Sequence, residues 1–350
     1  MSANSATAHA PAQPHAGLHA TLRFATAVTA AFVACEFLQW TPTFLAPVFT
    51  AALLANLPAR PPMKVVLVLV TAMTLAALFS FALASLLRGT PALLLGAIAL
   101  CMFLAFFAML SGRPSLPFML LLICLATIPV VVMVAPAQAG MLPTALIRGI
   151  ALAVLVILVV HMPWPHVTAP RPPPAAAPGA ASPLGLALLS TAVVVPLMLV
   201  YLLFGLADVL PVMVATVMMV VNFDLQRGRQ QAAAMIIGNF AGGLLGLLVH
   251  SVLLTTPSLG VLALLLFPVL LWFGPRIAAG GPSAGVALIA CNGMLIILSL
   301  AIASGPGSIS LWLVRLFQFA LAGAFAVGMM NVVWHWMLLR RSPPPELNAP

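Results

Sequence analysis

The chain has 350 residues, of which 64% are hydrophobic and only 5% are charged. A soluble domain carries about 25% charged residues, so this composition excludes a water-soluble fold, and the apolar content excludes disorder. The apolar runs are long and unbroken, whereas the strands of a membrane barrel alternate in polarity over about 10 residues. The composition therefore predicts an all-α polytopic membrane protein.

The net charge of +9 comes from basic residues spread singly between apolar runs. They indicate loop anchors that set topology rather than a nucleic-acid surface. The four cysteines lie inside apolar runs, without the spacing of a metal site or a disulfide framework. The sequence has no phosphate-binding loop, zinc-protease motif or nucleophile elbow. We therefore expect no cofactor, no bound metal, no nucleic-acid partner and no enzyme activity.

In chain order, residues 1–21 contain no Lys or Arg, and we expect a disordered N-terminal tail. A first unit of six apolar spans covers residues 22–162, with spans at 22–39, 43–58, 63–87, 91–110, 117–135 and 142–162. A Pro/Ala-rich linker at 163–183 is stiff and extended rather than helical. A second unit covers 184–338 and precedes a C-terminal tail at 339–350. Its six spans are 184–204, 209–223, 230–254, 258–274, 283–303 and 309–338.

Most spans have the roughly 20 residues that an α-helix needs to cross a hydrocarbon core of about 30 Å. The spans at 43–58 and 209–223 are shorter. Three interpretations stay open for them: a tilted pair, a re-entrant segment, or a helix broken by Pro47 or Pro211.

Basic residues are divided unequally between the two sides of the membrane. With the N-terminus inside, ten of the 13 Lys and Arg residues face the cytoplasm, and only Arg88, Arg148 and Arg315 lie on the other side. Cytoplasmic loops carry the excess of Lys and Arg. We therefore expect both termini and the linker to be cytoplasmic.

The two units look like repeats of one another. Leu-Ala-Pro-Val at 45–48 aligns with Val-Leu-Pro-Val at 209–212, and Leu-Ile-Arg at 146–148 aligns with Leu-Val-Arg at 313–315. Because each unit has an even number of spans, the repeats are parallel and related by an axis along the membrane normal. The expected fold is about 12 transmembrane helices in two parallel six-helix repeats.

Arg148 and Arg315 each lie a turn or two into the last span of their unit. An Arg at the bilayer centre costs about 2.5–3.5 kcal/mol, and less near an interface. Each could be an interfacial anchor or an ion-pair partner, or the two could bind an anionic substrate through their planar guanidinium forks. Gln318 follows Arg315 by three residues and would extend the same polar helix face. Both interpretations stay open.

Glu36 is the only carboxylate within a span, and Asp208 lies in the short loop between spans seven and eight. Ion pairs of Glu36 with Arg148, and of Asp208 with Arg315, would neutralise four charges near the membrane. Alternatively, an anion bound at the arginines would release the carboxylates to exchange protons, and export would then be coupled to proton entry.

Small residues recur four apart in the span 230–254, at Gly238, Gly242 and Gly246. They form a flat helix face that allows a neighbouring helix to approach closely. Asn239 adds a polar group that needs a partner in the protein interior. We expect this face to serve helix packing.

A basic turn ending at Arg229 precedes these glycines, and Leu-Ala-Pro-Val at 45–48 and Leu-Pro-Val at 210–212 occur in the second spans. In these features the sequence resembles the fusaric acid resistance and aromatic acid exporter family of inner-membrane proteins, as a short form without large cytoplasmic domains. The resemblance extends over most of residues 22–340. It implies efflux of aromatic carboxylic acids or similar amphipathic anions, beside a periplasmic adaptor protein and an outer-membrane channel.

We therefore expect proton-coupled export of a small organic anion by a multi-pass inner (plasma) membrane protein surrounded by lipid, and a homo-oligomer is compatible with this. Arg148, Arg315 and Gln318 would bind the anion, and Glu36 and Asp208 would exchange protons. Three other classes stay open: a transporter of the major facilitator type, a membrane-embedded enzyme that modifies lipid, and a scaffold for an adaptor.

Overall fold

The structure is a computed structural model of the chain. It describes residues 16–57, 59–137, 139–165, 182–204, 209–221 and 228–305, with single residues between 313 and 332. These residues form eleven α-helices. The first six helices are α1 (Ala16–Phe37), α2 (Leu45–Asn56), α3 (Met63–Leu86), α4 (Pro91–Leu110), α5 (Ser115–Val134) and α6 (Met141–Val160). The other five are α7 (Pro183–Phe204), α8 (Val209–Val221), α9 (Gly228–Leu253), α10 (Leu259–Ala278) and α11 (Pro282–Ser304).

Nine of the described helices are long and apolar enough to cross a membrane. Each of the eleven coincides with one predicted span, and the helix ends differ mostly by a few residues. The largest difference is at α1, which begins at Ala16 inside the segment expected to be a disordered tail. The Thr21 hydroxyl donates to the Gly17 carbonyl at 3.0 Å within this extra turn. The twelfth predicted span, 309–338, lies outside the described residues except for isolated positions.

The two short helices α2 and α8 have 12 and 13 residues. At 1.5 Å per residue each is about 18–20 Å long, less than the hydrocarbon core of about 30 Å. Pro47 and Pro211 occupy the third position of their helices, in the first turn, where a backbone N–H has no partner within the helix. Neither proline therefore breaks its helix, which removes one of the three interpretations of these spans.

Burial separates central from peripheral helices. In α5 and α11, 67% and 72% of the most apolar stretch is buried within the protein, compared with 28% in α3 and in α4. The outer faces of α3 and α4 carry exposed leucines such as Leu67, Leu75 and Leu104. Apolar surface on this scale is unusual on a soluble protein, and it is the surface that a lipid-facing helix presents.

Helices α9 and α11 pack along the glycine face predicted from the sequence. A Cβ built on Gly242 would overlap the Ala290 carbonyl, and one on Gly246 would lie 2.6 Å from the Met294 carbonyl oxygen. A Cβ on Gly238 would lie 3.1 Å from Cγ1 of a valine on α11. Asn239 is buried beside this face, and its Nδ2 atom has no hydrogen-bond partner within the described part of the chain.

Helices from the first and second halves of the chain pack directly on one another. α1 packs on α10, α4 on α7, α5 on α8, and α11 on α2. Within the halves, α3 packs on α5 and α9 on α11. The contact of α1 with α10 is close, because a Cβ on Gly274 would lie 2.9 Å from Cγ2 of Thr21. Most buried apolar side chains of the described helices thus form one core, and a small second cluster of Ala31, Cys35 and Ala46 lies beside Trp40.

Candidate functional site

The end of α1 is shaped by a helix cap that positions a tryptophan. Gln39 has a left-handed backbone conformation with φ of 54°. The N–H of Trp40 donates to the Cys35 carbonyl at 2.9 Å, and that of Gln39 to the Glu36 carbonyl at 3.2 Å. This pair of bonds is the Schellman arrangement that satisfies the last carbonyls of a helix. The chain therefore turns back at once, and the Trp40 ring lies beside the end of α1.

Arg148 reaches this turn from α6. Helix α6 lies close to α2 at Gly149, where a Cβ would be 3.2 Å from Leu45 Cβ. The Arg148 guanidinium carbon lies 5.3 Å from the centroid of the Trp40 ring, within the range of a cation–π interaction. Its Nε also donates to the Thr144 carbonyl at 3.4 Å. Arg148 is exposed, so its remaining N–H donors are available to a ligand.

A small open pocket lies between these elements. It is open to solvent and has room for about one water molecule, and its lining includes Cys35, Trp40, Pro42, Leu45 and Arg148. A ligand larger than water would therefore lie against the open side of this pocket. An aromatic wall, aliphatic walls and one cation together suit a small amphipathic anion.

Glu36 is in the last turn of α1, half-buried and close to this pocket. Its carboxyl group lies near the Thr43 side chain, and its Oε1 atom is buried without a hydrogen-bond partner in the described part of the chain. Glu36 is the only carboxylate among the described residues. The Arg148 guanidinium lies against the Trp40 ring, and within the described residues it does not form the ion pair with Glu36 that was considered from the sequence.

The remaining predicted site residues, Arg315, Gln318 and Asp208, lie outside the described residues. Sequence reasoning missed Trp40 and Thr43. A Trp just after a span is expected at any membrane interface, so Trp40 gave no specific signal. Thr43 sits in a turn whose geometry only the structure shows. Within the described residues, no group of three or more His, Cys, Asp or Glu side chains could hold a metal ion.

The helices and their apolar surface define a multi-pass helical membrane protein. Residues 20–160 match the family described as "Protein of unknown function (DUF2955)". This match covers nearly all of α1 and continues to the last residue of α6. No curated protein and no solved structure matches the chain.

Proposed function

We propose that the chain is an inner-membrane efflux transporter for small organic anions, such as aromatic carboxylic acids, and that export is coupled to proton entry. The observation that carries this proposal is the pocket in which the Arg148 guanidinium lies 5.3 Å from the Trp40 ring centroid. One cation beside an aromatic face matches a molecule with a carboxylate and a ring. The sequence resemblance to aromatic acid exporters implies the same substrate class.

In this proposal Arg148 binds the carboxylate and Trp40 contacts the ring. The planar guanidinium donates two parallel hydrogen bonds to a carboxylate, a geometry that the Lys ammonium does not match. Arg148 forms no ion pair with Glu36, which is the one carboxylate in the described part of the chain. An incoming anion therefore does not have to displace an internal partner.

We also propose that the two six-helix units are parallel repeats of one another. When each helix number is raised by six, counting on from twelve to one, the contact of α4 with α7 becomes the contact of α10 with α1. A two-fold axis between the units produces such pairs of contacts. The same shift carries α3–α5 onto α9–α11, and α5–α8 onto α11–α2. These paired contacts support a two-fold arrangement, and the family match that stops at the end of α6 supports a six-helix unit. In the second unit, Arg315, Gln318 and Asp208 are the residues that we expect to form the equivalent pocket.

Glu36 is the proposed proton-exchange group of the first unit, and Asp208 that of the second. Glu36 lies at the end of α1 that carries the pocket, and one of its carboxyl oxygens has no hydrogen-bond partner within the described residues. A carboxylate held this way can gain a proton without first breaking an ion pair. A periplasmic adaptor and an outer-membrane channel are the partners that the resemblance implies, and a homo-oligomer is compatible with the proposal.

The test is transport of labelled aromatic carboxylates, fusaric and hydroxybenzoic acids included, into proteoliposomes with an imposed pH gradient. The variants are Arg148→Gln, Arg315→Gln, their combination, and Trp40→Leu. Arg88→Gln is the matched control, since Arg88 is an exposed arginine in the turn between α3 and α4. We expect gradient-driven transport that is lost in the double variant and retained in the control. Wild-type rates in the double variant, at equal protein level, would refute the proposed site.

A further inference from the structure

Asn292 is a buried polar residue at the middle of α11. It lies ten residues after Pro282 and twelve before Ser304, so a membrane-spanning α11 places it near the bilayer midplane. Its side chain is 3% exposed, and neither the oxygen nor the nitrogen of its amide has a hydrogen-bond partner within the described residues. Buried polar groups are nearly always hydrogen-bonded, and polar groups inside a membrane often mark a substrate path. The amide therefore needs a partner from elsewhere.

The packing of α11 shows which side of the helix carries Asn292. Ala290 and Met294 face α9, because their carbonyl groups lie against the glycines of that helix. At 100° per residue, a position two residues from both of them lies on the other side of α11. Ser299 follows Asn292 by seven residues, which is two helical turns, so these two residues share one face. Asn292 thus lies on the face that carries Ser299, turned away from α9.

Ser299 marks a contact between the two halves of the chain. Its Oγ atom lies 2.5 Å from the Oγ1 atom of Thr43, and both side chains are buried. Thr43 directly follows Pro42, which lines the pocket of Arg148. Helix α2 begins two residues after Thr43 and packs on α11. The same face of α11 therefore lies beside the pocket at Ser299 and, about 10 Å further along the helix axis, carries Asn292.

We propose that Asn292 is a second binding point for the transported anion, near the membrane midplane and between the two units. The inference rests on the proposed function and adds a residue to the path that includes Arg148. The amide nitrogen has two N–H donors for a carboxylate and carries no charge. Substrate sites of many transporters lie near the midplane, at the interface of two repeats. In the predicted orientation, an exported anion meets Asn292 before Arg148.

A neutral donor suits this position in the path. Hydrogen bonds from a charged donor are about twice as strong as those from a neutral one, so the amide holds a carboxylate less tightly than the guanidinium does. Passage requires binding that is weak enough to release the ion. The Thr43–Ser299 bond holds the α1–α2 turn against α11 on the pocket side of Asn292, so an anion that moves from the amide to the pocket separates this contact.

A structural role for Asn292 predicts a different arrangement and a different mutant. An amide that joins membrane helices hydrogen-bonds across them, and Asn292 has no such bond in the described part of the chain. Leu has nearly the shape of Asn and no polar atoms. Asn292→Leu removes a buried polar group without a partner, so we expect a higher melting temperature than wild type in detergent.

Transport of hydroxybenzoate into proteoliposomes is measured with the same variant. We expect it to fall about 10- to 100-fold, which corresponds to one lost hydrogen bond to a charged group, and Asn292→Ser, which keeps a donor, to retain part of it. Asn239→Leu is the matched control, since Asn239 is equally buried but lies on α9 beside the glycine face, and it should transport normally. Wild-type transport by Asn292→Leu, or a lower melting temperature, would overturn the proposal.

Thiol labelling tests the path independently of transport rates. Asn292→Cys and Asn239→Cys are treated with a small water-soluble thiol reagent, and wild-type protein with its four native cysteines gives the background. Thiols react as thiolates, and cysteines buried in apolar surroundings are inert. We expect Asn292→Cys to react above background and hydroxybenzoate to slow the reaction, while Asn239→Cys stays at background. Labelling of Asn292→Cys at background would overturn the inference. If Asn292→Cys reacts but no aromatic carboxylate slows it or is transported by wild type, the proposed function fails and a water path at Asn292 stands.

Discussion

A methyl group at Gly242 should separate α9 from α11. In Gly242→Ala the new Cβ would overlap the Ala290 carbonyl, which is backbone and has no other rotamer to adopt. The two helices would have to move apart by about 1 Å, and a gap of 0.5–1 Å forfeits a quarter to a half of each dispersion contact. Because overpacking typically costs about 1–3 kcal/mol, we expect a loss of stability near 3 kcal/mol, at the upper end of that range.

The neighbouring glycines provide a graded series. Gly246→Ala, with its Cβ 2.6 Å from a backbone oxygen, should be destabilised less than Gly242→Ala, and Gly238→Ala least, because its closest contact is a valine methyl group at 3.1 Å. Gly285→Ala is the matched control: it lies on α11 and its Cβ would have no atom within 4 Å. Such a change in a helix should stabilise by up to about 1 kcal/mol.

Thermal unfolding in detergent can follow this series with a thiol-reactive fluorogenic dye. Cys124 and Cys291 are both fully buried, so the dye reports their exposure as the protein unfolds. We expect melting temperatures to fall in the order Gly285→Ala, Gly238→Ala, Gly246→Ala, Gly242→Ala. If Gly242→Ala melts with Gly285→Ala, the close approach of α9 and α11 is wrong.

Three further substitutions test other contacts with the same assay. Gly274→Ala should destabilise by about 1–3 kcal/mol, because its Cβ would lie 2.9 Å from Thr21 Cγ2 and 3.1 Å from Thr21 Cα. Arg23→Met should cost about 1.5–3 kcal/mol, since buried Arg23 donates to the Trp164 carbonyl at 2.8 Å. Gln39→Gly should stabilise by about 1 kcal/mol, because a left-handed conformation costs other residues about 1–2 kcal/mol.

The first two of these substitutions have a matched control in the chain. Gly260→Ala is on the same helix as Gly274 and meets no atom within 4 Å, so it should not destabilise. Arg88→Met removes an exposed arginine and should leave the melting temperature nearly unchanged. A stabilised Gly274→Ala, an unchanged Arg23→Met or a destabilised Gln39→Gly would each contradict the contact on which it depends.

The sequence predicted most of the helices, because apolar runs of about 20 residues, separated by Pro, Gly and single charges, are typical of membrane-spanning helices. It placed the start of α1 too late, because Gly17 and His19 interrupt the apolar pattern of the span although the helix continues through them. It could not decide the state of the short spans, which depended on whether Pro47 lay in the first turn or inside a helix.

The candidate site was less accessible to sequence reasoning. Arg148 was noticeable because charged residues are rare in this chain, and Glu36 for the same reason. Their neighbours Trp40 and Thr43 are brought to them by a reversal of the chain at Gln39, a residue type that rarely adopts the left-handed conformation. The ion pair considered between Glu36 and Arg148 was reasonable from charge alone, but the turn brings hydroxyl and aromatic side chains to these groups instead.

The packing of α1 on α10 has a consequence for how the protein is made. Thr21 is synthesised about 250 residues before Gly274, the residue it contacts. At about 5–20 residues per second, the first helix waits roughly 10–50 s for its partner. During that time the face of α1 that carries Thr21 must be covered by lipid, by the insertion machinery or by the helices already made.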